Sequence, residues 1–177
     1  MRIDPKYFNL FIAVCAVLTL IVIIYGTINY SRNQVADFKE NLETIQFDTL
    51  SFSTYSGSDS LHVSHYKGNP VIIQFWSTWS GKSLGVNRNL EMIRKNNPRL
   101  TVIAAAVRDG DEQIREYIRE SDYNFHYVDG TAFFQEIFIP GVPAQILIDE
   151  NGELFSSHVG DDMEALSGEL NNLLQNE

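Results

Sequence analysis

Residues 7–25 carry no charge and are dominated by Leu, Ile, Val, Phe and Ala. As a helix, a run of that length spans roughly 30 Å, the thickness of a bilayer core. It predicts a membrane anchor over residues 1–30, in contact with lipid through this one helix. A cleaved signal peptide has a shorter apolar core followed by a small-x-small site, and none precedes Gly26. Lipidation would use Cys15, but Val14 suits it poorly and the apolar run continues past it. Cleavage and lipidation at Cys15 stand as the competing readings. Tyr7, Phe8, Tyr25 and Tyr30 suit the two interfacial belts, and Arg2 and Lys6 flank the short side. Arg32 and Lys39 on the other side are balanced by Asp37 and Glu40, so the positive-inside tendency places the bulk of the chain outside.

Beyond Tyr30 the chain has 11 Lys and Arg against 22 Asp and Glu, a net charge of −11. Binding nucleic acid needs a basic face, so that class is excluded, as is lying flat on anionic lipid. Cys15 is the only cysteine. The part beyond the span therefore has no disulfide, no thiolate and no cysteine metal site.

After the span, Val35, Phe38, Leu42 and Ile45 recur at near-helical spacing, predicting a stalk or linker helix over residues 31–46. The same stripe also suits a contact surface for a partner near the membrane. From residue 47 the pattern alternates. Residues 49–55 read as a strand and 56–59 as a turn. Leu61, Val63 and Tyr66 read as a further extended segment leading to a turn at Lys67-Gly68-Asn69-Pro70. Val71-Ile72-Ile73-Gln74-Phe75-Trp76 is continuously apolar apart from Gln74, as in a strand buried on both faces. A loop feeds a helix over residues 83–96, then come a strand over 100–107, a helix over 111–120, a short strand over 125–128 and a short helix over 131–137. Pro140-Gly141-Val142-Pro143 breaks the chain before a hairpin of strands 144–148 and 153–159. An amphipathic helix over 162–174 closes it. The pattern predicts an α/β domain over residues 47–177, with a mixed sheet covered on both faces.

The segment Phe75-Trp76-Ser77-Thr78-Trp79-Ser80-Gly81-Lys82-Ser83 resembles the thioredoxin superfamily, in particular its membrane-tethered TlpA and ResA type. That type reads Phe-Trp-Ala-x-Trp-Cys-x-x-Cys at the end of its first central strand. Lys67-Gly68-Asn69-Pro70, Val107-Arg108-Asp109, Gly141-Val142-Pro143 and Leu147-Ile148-Asp149-Glu150-Asn151-Gly152 resemble the family's other landmarks in order. The resemblance covers roughly residues 61–174. It implies a thioredoxin-like fold behind one N-terminal transmembrane helix. It also implies a single-pass location in a bacterial inner membrane, with the domain on the periplasmic or extracytoplasmic side.

The departure is chemical. In the family the first cysteine is a thiolate at a helix N-terminus and the second resolves the mixed disulfide. By the resemblance, Ser80 and Ser83 fall on those positions. A serine hydroxyl is not ionised near neutral pH and forms no disulfide, so the sequence as it stands predicts no thiol–disulfide activity and no catalytic residue. Gln74 falls where thioredoxins carry a buried acid. Serine hydrolysis would need a base, and His62, His65, His126 and His158 belong to no recognisable triad, His158 being the nearest candidate. No histidine pair has metal-ligand spacing on one element, His62 and His65 lying on a segment read as extended, so neither a metal nor a cofactor is expected. Serine does suit a helix N-cap, and Lys82 suits a solvated position. The resemblance further implies a peptide-binding surface lined by Trp76, Trp79, Lys82, Val142 and Pro143. The leading expectation is a redox-inactive interaction or assembly module for a membrane or envelope protein complex. The alternative is an oxidoreductase of this type whose two cysteines were exchanged for serine.

Overall fold

The computed structural model describes residues 5–57 and 59–175. Arg2, on which the expected orientation partly rests, and Ser58 of the expected turn lie outside the described residues, as do the side chains of Lys6 and Tyr7. The chain opens with α1, Pro5–Glu43, one unbroken helix of 39 residues. Its most apolar stretch has a mean hydropathy of 2.7, and none of it is buried against the rest of the protein. It is the one helix among the described residues long and apolar enough to cross a membrane. The hydroxyls of Thr19 and Thr27 donate to the carbonyls of Cys15 and Ile23, one turn back, at 2.9 and 2.8 Å. Both polar groups are thus satisfied within the helix, as an apolar surrounding requires.

The helix does not stop where the apolar run stops. It continues into the domain, where Phe38 and Leu42 are fully buried with Phe47, Phe52, Ile137 and Ile148. Val35 and Ile45, the other members of that stripe, are half-buried. Burying two such side chains contributes about 3–6 kcal/mol, which is why the last turns of α1 dock rather than hang as a free tether.

The sheet has seven strands: β1 Ser51–Thr54, β2 Ser60–His62, β3 Val71–Trp76, β4 Thr101–Ala106, β5 His126–Asp129, β6 Ala144–Ile148 and β7 Leu154–Val159. Their spatial order is β2-β1-β5-β4-β3-β6-β7. β3, β4 and β5 run parallel, with Gln74 opposite Ala104. β6 is antiparallel to β3 with Gln145 opposite Gln74, and β7 antiparallel to β6 with His158 opposite Gln145. β1 joins antiparallel to β5, and β2 antiparallel to β1. Four helices complete the fold: α2 Gly81–Asn96, α3 Asp111–Ser121, α4 Thr131–Glu136 and α5 Met163–Gln175.

All six residues of β3 are buried, because both faces of the sheet are covered. Ile73 and Phe75 face the layer made by α4 and the end of α1, whereas Ile72 and Trp76 face α2, α3 and α5. This is the thioredoxin-like arrangement, a mixed sheet flanked by helices. Two stretches differ from the sequence expectation. The strand expected over 49–55 is shorter, since Phe47–Thr49 forms a 3-10 turn before it. Val63–Tyr66 is also a 3-10 turn rather than extended chain. That tight turn brings the rings of His62 and His65 within 5.3 Å of each other. Among the described residues, no group of three or more His, Cys, Asp or Glu is placed to hold a metal ion.

Candidate binding groove at the start of α2

β3 delivers the chain to a loop at the carboxyl ends of the parallel strands, where open α/β sheets gather their ligands. Ser77 is fully buried and its hydroxyl donates to the carbonyl of Val107 at 2.6 Å. Thr78 gives its backbone N–H and its hydroxyl to the carboxylate of Asp109. The indole Nε1 of Trp79 lies 3.4 Å from the Arg108 carbonyl, which accepts its hydrogen. Together these bonds hold the loop against the turn that follows β4, and Trp79 projects from it with 65% of its surface exposed.

Ser80 is the N-cap of α2. Its backbone is extended and its Oγ accepts the N–H of Ser83 at 3.3 Å, as capping serines do. The helix therefore begins two residues earlier than expected, at Gly81. Ser83 faces inward on the first turn and is fully buried, and its hydroxyl finds no partner among the described residues. No histidine hydrogen-bonds either serine among the described residues, and His158 Nε2 is buried without a partner. Gln74 is buried beneath, accepting from Gln145 Nε2 at 2.7 Å. Lys82 is exposed and pairs with Asp161 at 2.9 Å, and that hydrogen bond holds the Asp161 carboxyl below its ordinary range.

Beside Trp79 lies a groove of about 470 Å³, whose walls include Gln34, Arg108, Phe134, Phe138 and Val142. The Arg108 guanidinium sits 5.4 Å over the ring of Phe134. The Val142–Pro143 peptide is cis, and the carbonyl of Pro143 accepts the N–H of Gly160 at 2.9 Å. Of the surface residues expected from the sequence, the groove brings together Trp79 and Val142. The others fall elsewhere. Trp76 is a correction: it is fully buried, packed on Tyr117 with ring centroids 4.6 Å apart. As the last residue of a strand covered on both faces, it belongs to the core. Pro143 is buried, while Lys82 stands apart from the groove on its Asp161 partner.

Phe138 is a wall of the groove that the sequence did not single out. It follows the C-terminus of α4 with a left-handed φ of 56° and is 70% exposed. A bulky residue in that conformation costs about 1–2 kcal/mol, so glycine is the usual occupant of such a position. A short apolar helix ending just before Ile139-Pro140 was the available signal. A larger cleft of about 590 Å³ lies on α3, lined by Tyr55, Asp111 and Arg115 among others. Burial, with help from Asp129, pushes the Tyr55 phenol up to about 12, so it stays neutral at physiological pH.

No family model and no curated protein matches the chain. Solved structures do. A secreted Mycobacterium tuberculosis disulfide oxidoreductase, homologous to E. coli DsbE, superposes with a TM-score of 0.61 at 18% identity, covering 76% of this chain and 98% of its own. A thiol:disulfide interchange protein of the thioredoxin family from Chlorobium tepidum TLS gives 0.63 at 19%, over 72% of this chain and 94% of its own. StoA from Bacillus subtilis gives 0.54 at 17%, over 68% and 95%. The chain has the thioredoxin-like fold that these thiol–disulfide oxidoreductases carry, preceded by a helix fit to be a membrane anchor.

Proposed function

We propose that this protein is a membrane-anchored, redox-inactive thioredoxin-like module that docks onto, or helps assemble, a membrane or envelope protein complex on the extracytoplasmic side of a bacterial inner membrane. One observation carries the reading. The groove beside α2 is intact and presents an exposed Trp79 next to Val142, while the two residues at the helix start are serines. An aromatic side chain whose indole and two preceding residues are all hydrogen-bonded is a ready partner anchor, since less ordering entropy remains to be lost. Ser80 and Ser83 hold no thiol, and Cys15, the chain's only cysteine, lies in the apolar run. Electron transfer through a dithiol has no carrier in the domain.

The test is association in native membranes solubilised with mild detergent. The wild-type chain should co-purify with a defined membrane or envelope protein, and the double variant Trp79→Ala, Val142→Ala should lose it. A chain that elutes alone, or a double variant that keeps its partner, would overturn this reading. The oxidoreductase alternative is favoured by the spacing of Ser80 and Ser83, one N-cap and one first-turn residue. Ser80→Cys with Ser83→Cys checks it. Catalytic insulin reduction by the double-cysteine chain would support a recently silenced enzyme, and a disulfide without turnover would leave the docking module standing.

A further inference from the structure

The groove beside Trp79 does not end at the domain. Gln34 and Phe138 line it, and the same two residues line a second cleft of about 520 Å³ together with Tyr30, Asp37, Glu40 and Asn41 of α1. The two clefts form one surface that passes from Trp79, past Phe138, onto the helix. Tyr30 and Gln34 are joined there by a hydrogen bond from Gln34 Nε2 to the Tyr30 hydroxyl at 3.1 Å. Tyr30 stands where the apolar run gives way, Ile28 being the last exposed large aliphatic residue before it. From Tyr30 to Gln34 is one helical turn, about 6 Å along the axis. The far end of the surface therefore opens at the level where α1 leaves the bilayer.

From these positions we infer that the surface takes an extended, basic juxtamembrane segment of a membrane-embedded protein. The inference rests on reading the groove as a protein-docking surface and names what docks there. Height selects the partner's type, because a chain emerging from the bilayer beside α1 meets this cleft first. Charge selects its sequence at the helix end of the surface, the domain end carrying Arg108. Asp37 and Glu40 are exposed and enter no ion pair among the described residues. Two carboxylates on one wall repel anionic lipid headgroups and favour Lys or Arg. They also oppose a second copy of this chain, whose part beyond Tyr30 carries a net charge of −11. Phe138 and Trp79 supply the apolar contacts, and Phe138 is held exposed in a backbone conformation that its own fold does not favour.

The experiment uses the full chain in native membranes, with a photo-crosslinking residue at position 34, 138 or 79, and at Met92, exposed on α2, as the control. Positions 34 and 138 should give adducts to one peptide that contains Lys or Arg and directly adjoins a membrane span. Asp37→Lys with Glu40→Lys should lower the yield at position 138 by about fivefold or more, the loss expected for roughly 1 kcal/mol of pairing. Phe138→Gly should lower the yield at position 34 while the protein keeps its melting temperature, since glycine accepts the left-handed conformation. Adducts at 34 and 138 to lipid, to a second copy or to a soluble protein would overturn the inference, as would indifference to charge reversal. Crosslinks from 79 alone would sink this inference and leave the docking module standing. No adduct at 34, 138 or 79 would sink both.

Discussion

Thr78 offers two donors to one carboxylate, its backbone N–H and its hydroxyl both ending on Asp109. Asp109 also accepts the N–H of Gly110 at 2.9 Å. The loop that presents Trp79 and the turn that presents Arg108 are thereby fastened to each other, and the groove between them is formed before any partner arrives.

Removing that fastening should be felt twice. Asp109→Ala should cost about 1.5–3 kcal/mol, the range for hydrogen bonds to a charged group. The chain has two tryptophans, and only Trp79 is exposed. Quenching by a neutral solute should therefore report Trp79 alone, and its Stern–Volmer slope should rise in the variant. An unchanged slope would mean that the loop holds its shape without Asp109.

The two tryptophans should separate stability from association. Trp76→Ala opens a core site and should cost about 3–5 kcal/mol. Trp79→Ala touches an exposed side chain and should stay within about 0.5 kcal/mol of the parent. Denaturant unfolding of the detergent-solubilised chain measures both. Trp79→Ala should nonetheless weaken partner retention, which Trp76→Ala would do only by unfolding.

Ser80 and Ser83 should respond in opposite directions to the same substitution. Ser80→Ala removes the cap of α2 and should lower stability by about 1 kcal/mol. Ser83→Ala removes a buried hydroxyl that has no partner, and should be neutral or raise stability by up to about 1 kcal/mol. In a thermal melt, no loss from Ser80→Ala would refute its assignment as the cap, and a loss from Ser83→Ala would refute the unpartnered hydroxyl.

Acid sensitivity has three sources of the same sign, the fully solvated Asp161–Lys82 pair contributing least. Glu91 is buried, and its hydrogen bond from Arg94 holds the carboxyl below its ordinary value of 4.5. A depressed folded-state pKa gives stability that is present above 4.5 and is lost as pH falls through the folded value. His126 lies on the surface with its ring against Tyr66, and partial desolvation there lowers it from 6.5, so protonating it favours the unfolded chain slightly. Its contribution is whole above 6.5 and declines below that. Stability should therefore fall on acidification in two stages, a shallow first one starting near pH 6.5, because His126 is exposed and screened by solvent, and a steeper second below 4.5. Glu91→Gln should be less stable than the parent by about 1–3 kcal/mol at neutral pH and should flatten the second stage. A pH-stability profile by circular dichroism checks the sign, and a rise on acidification would contradict it.

Much of this architecture was legible from residue pattern. The run at β3, apolar but for Gln74, announced a strand covered on both faces, and the Leu166 and Leu170 stripe announced α5. Spacing could not tell Trp76 from Trp79. The difference is whether the strand has ended, and a helix layer covers the residue that precedes that end. The stalk stripe showed that Phe38 and Leu42 share a face but not what meets it. Their burial depends on Ile137 and Ile148, distant in sequence. Phe138 escaped notice because its exposure follows from a backbone angle set where α4 meets Ile139, whose N–H bonds back to Phe134 at 3.1 Å. His65, unlike His62 at the end of β2, was misplaced for a similar reason, since the mixed polarity of Val63–Tyr66 does not reveal a 3-10 turn.

On the membrane anchoring proposed above, the continuity of α1, from its exposed apolar stretch to buried Phe38 and Leu42, would make the helix a compass as well as a tether. One residue inserted between Tyr30 and Gln34 would swing the domain by about 100° around the helix axis and raise it by about 1.5 Å. The direction the groove would face across a bilayer surface is thus written in the count of residues between apolar stretch and core, and two chains with the same composition but different counts would greet different neighbours.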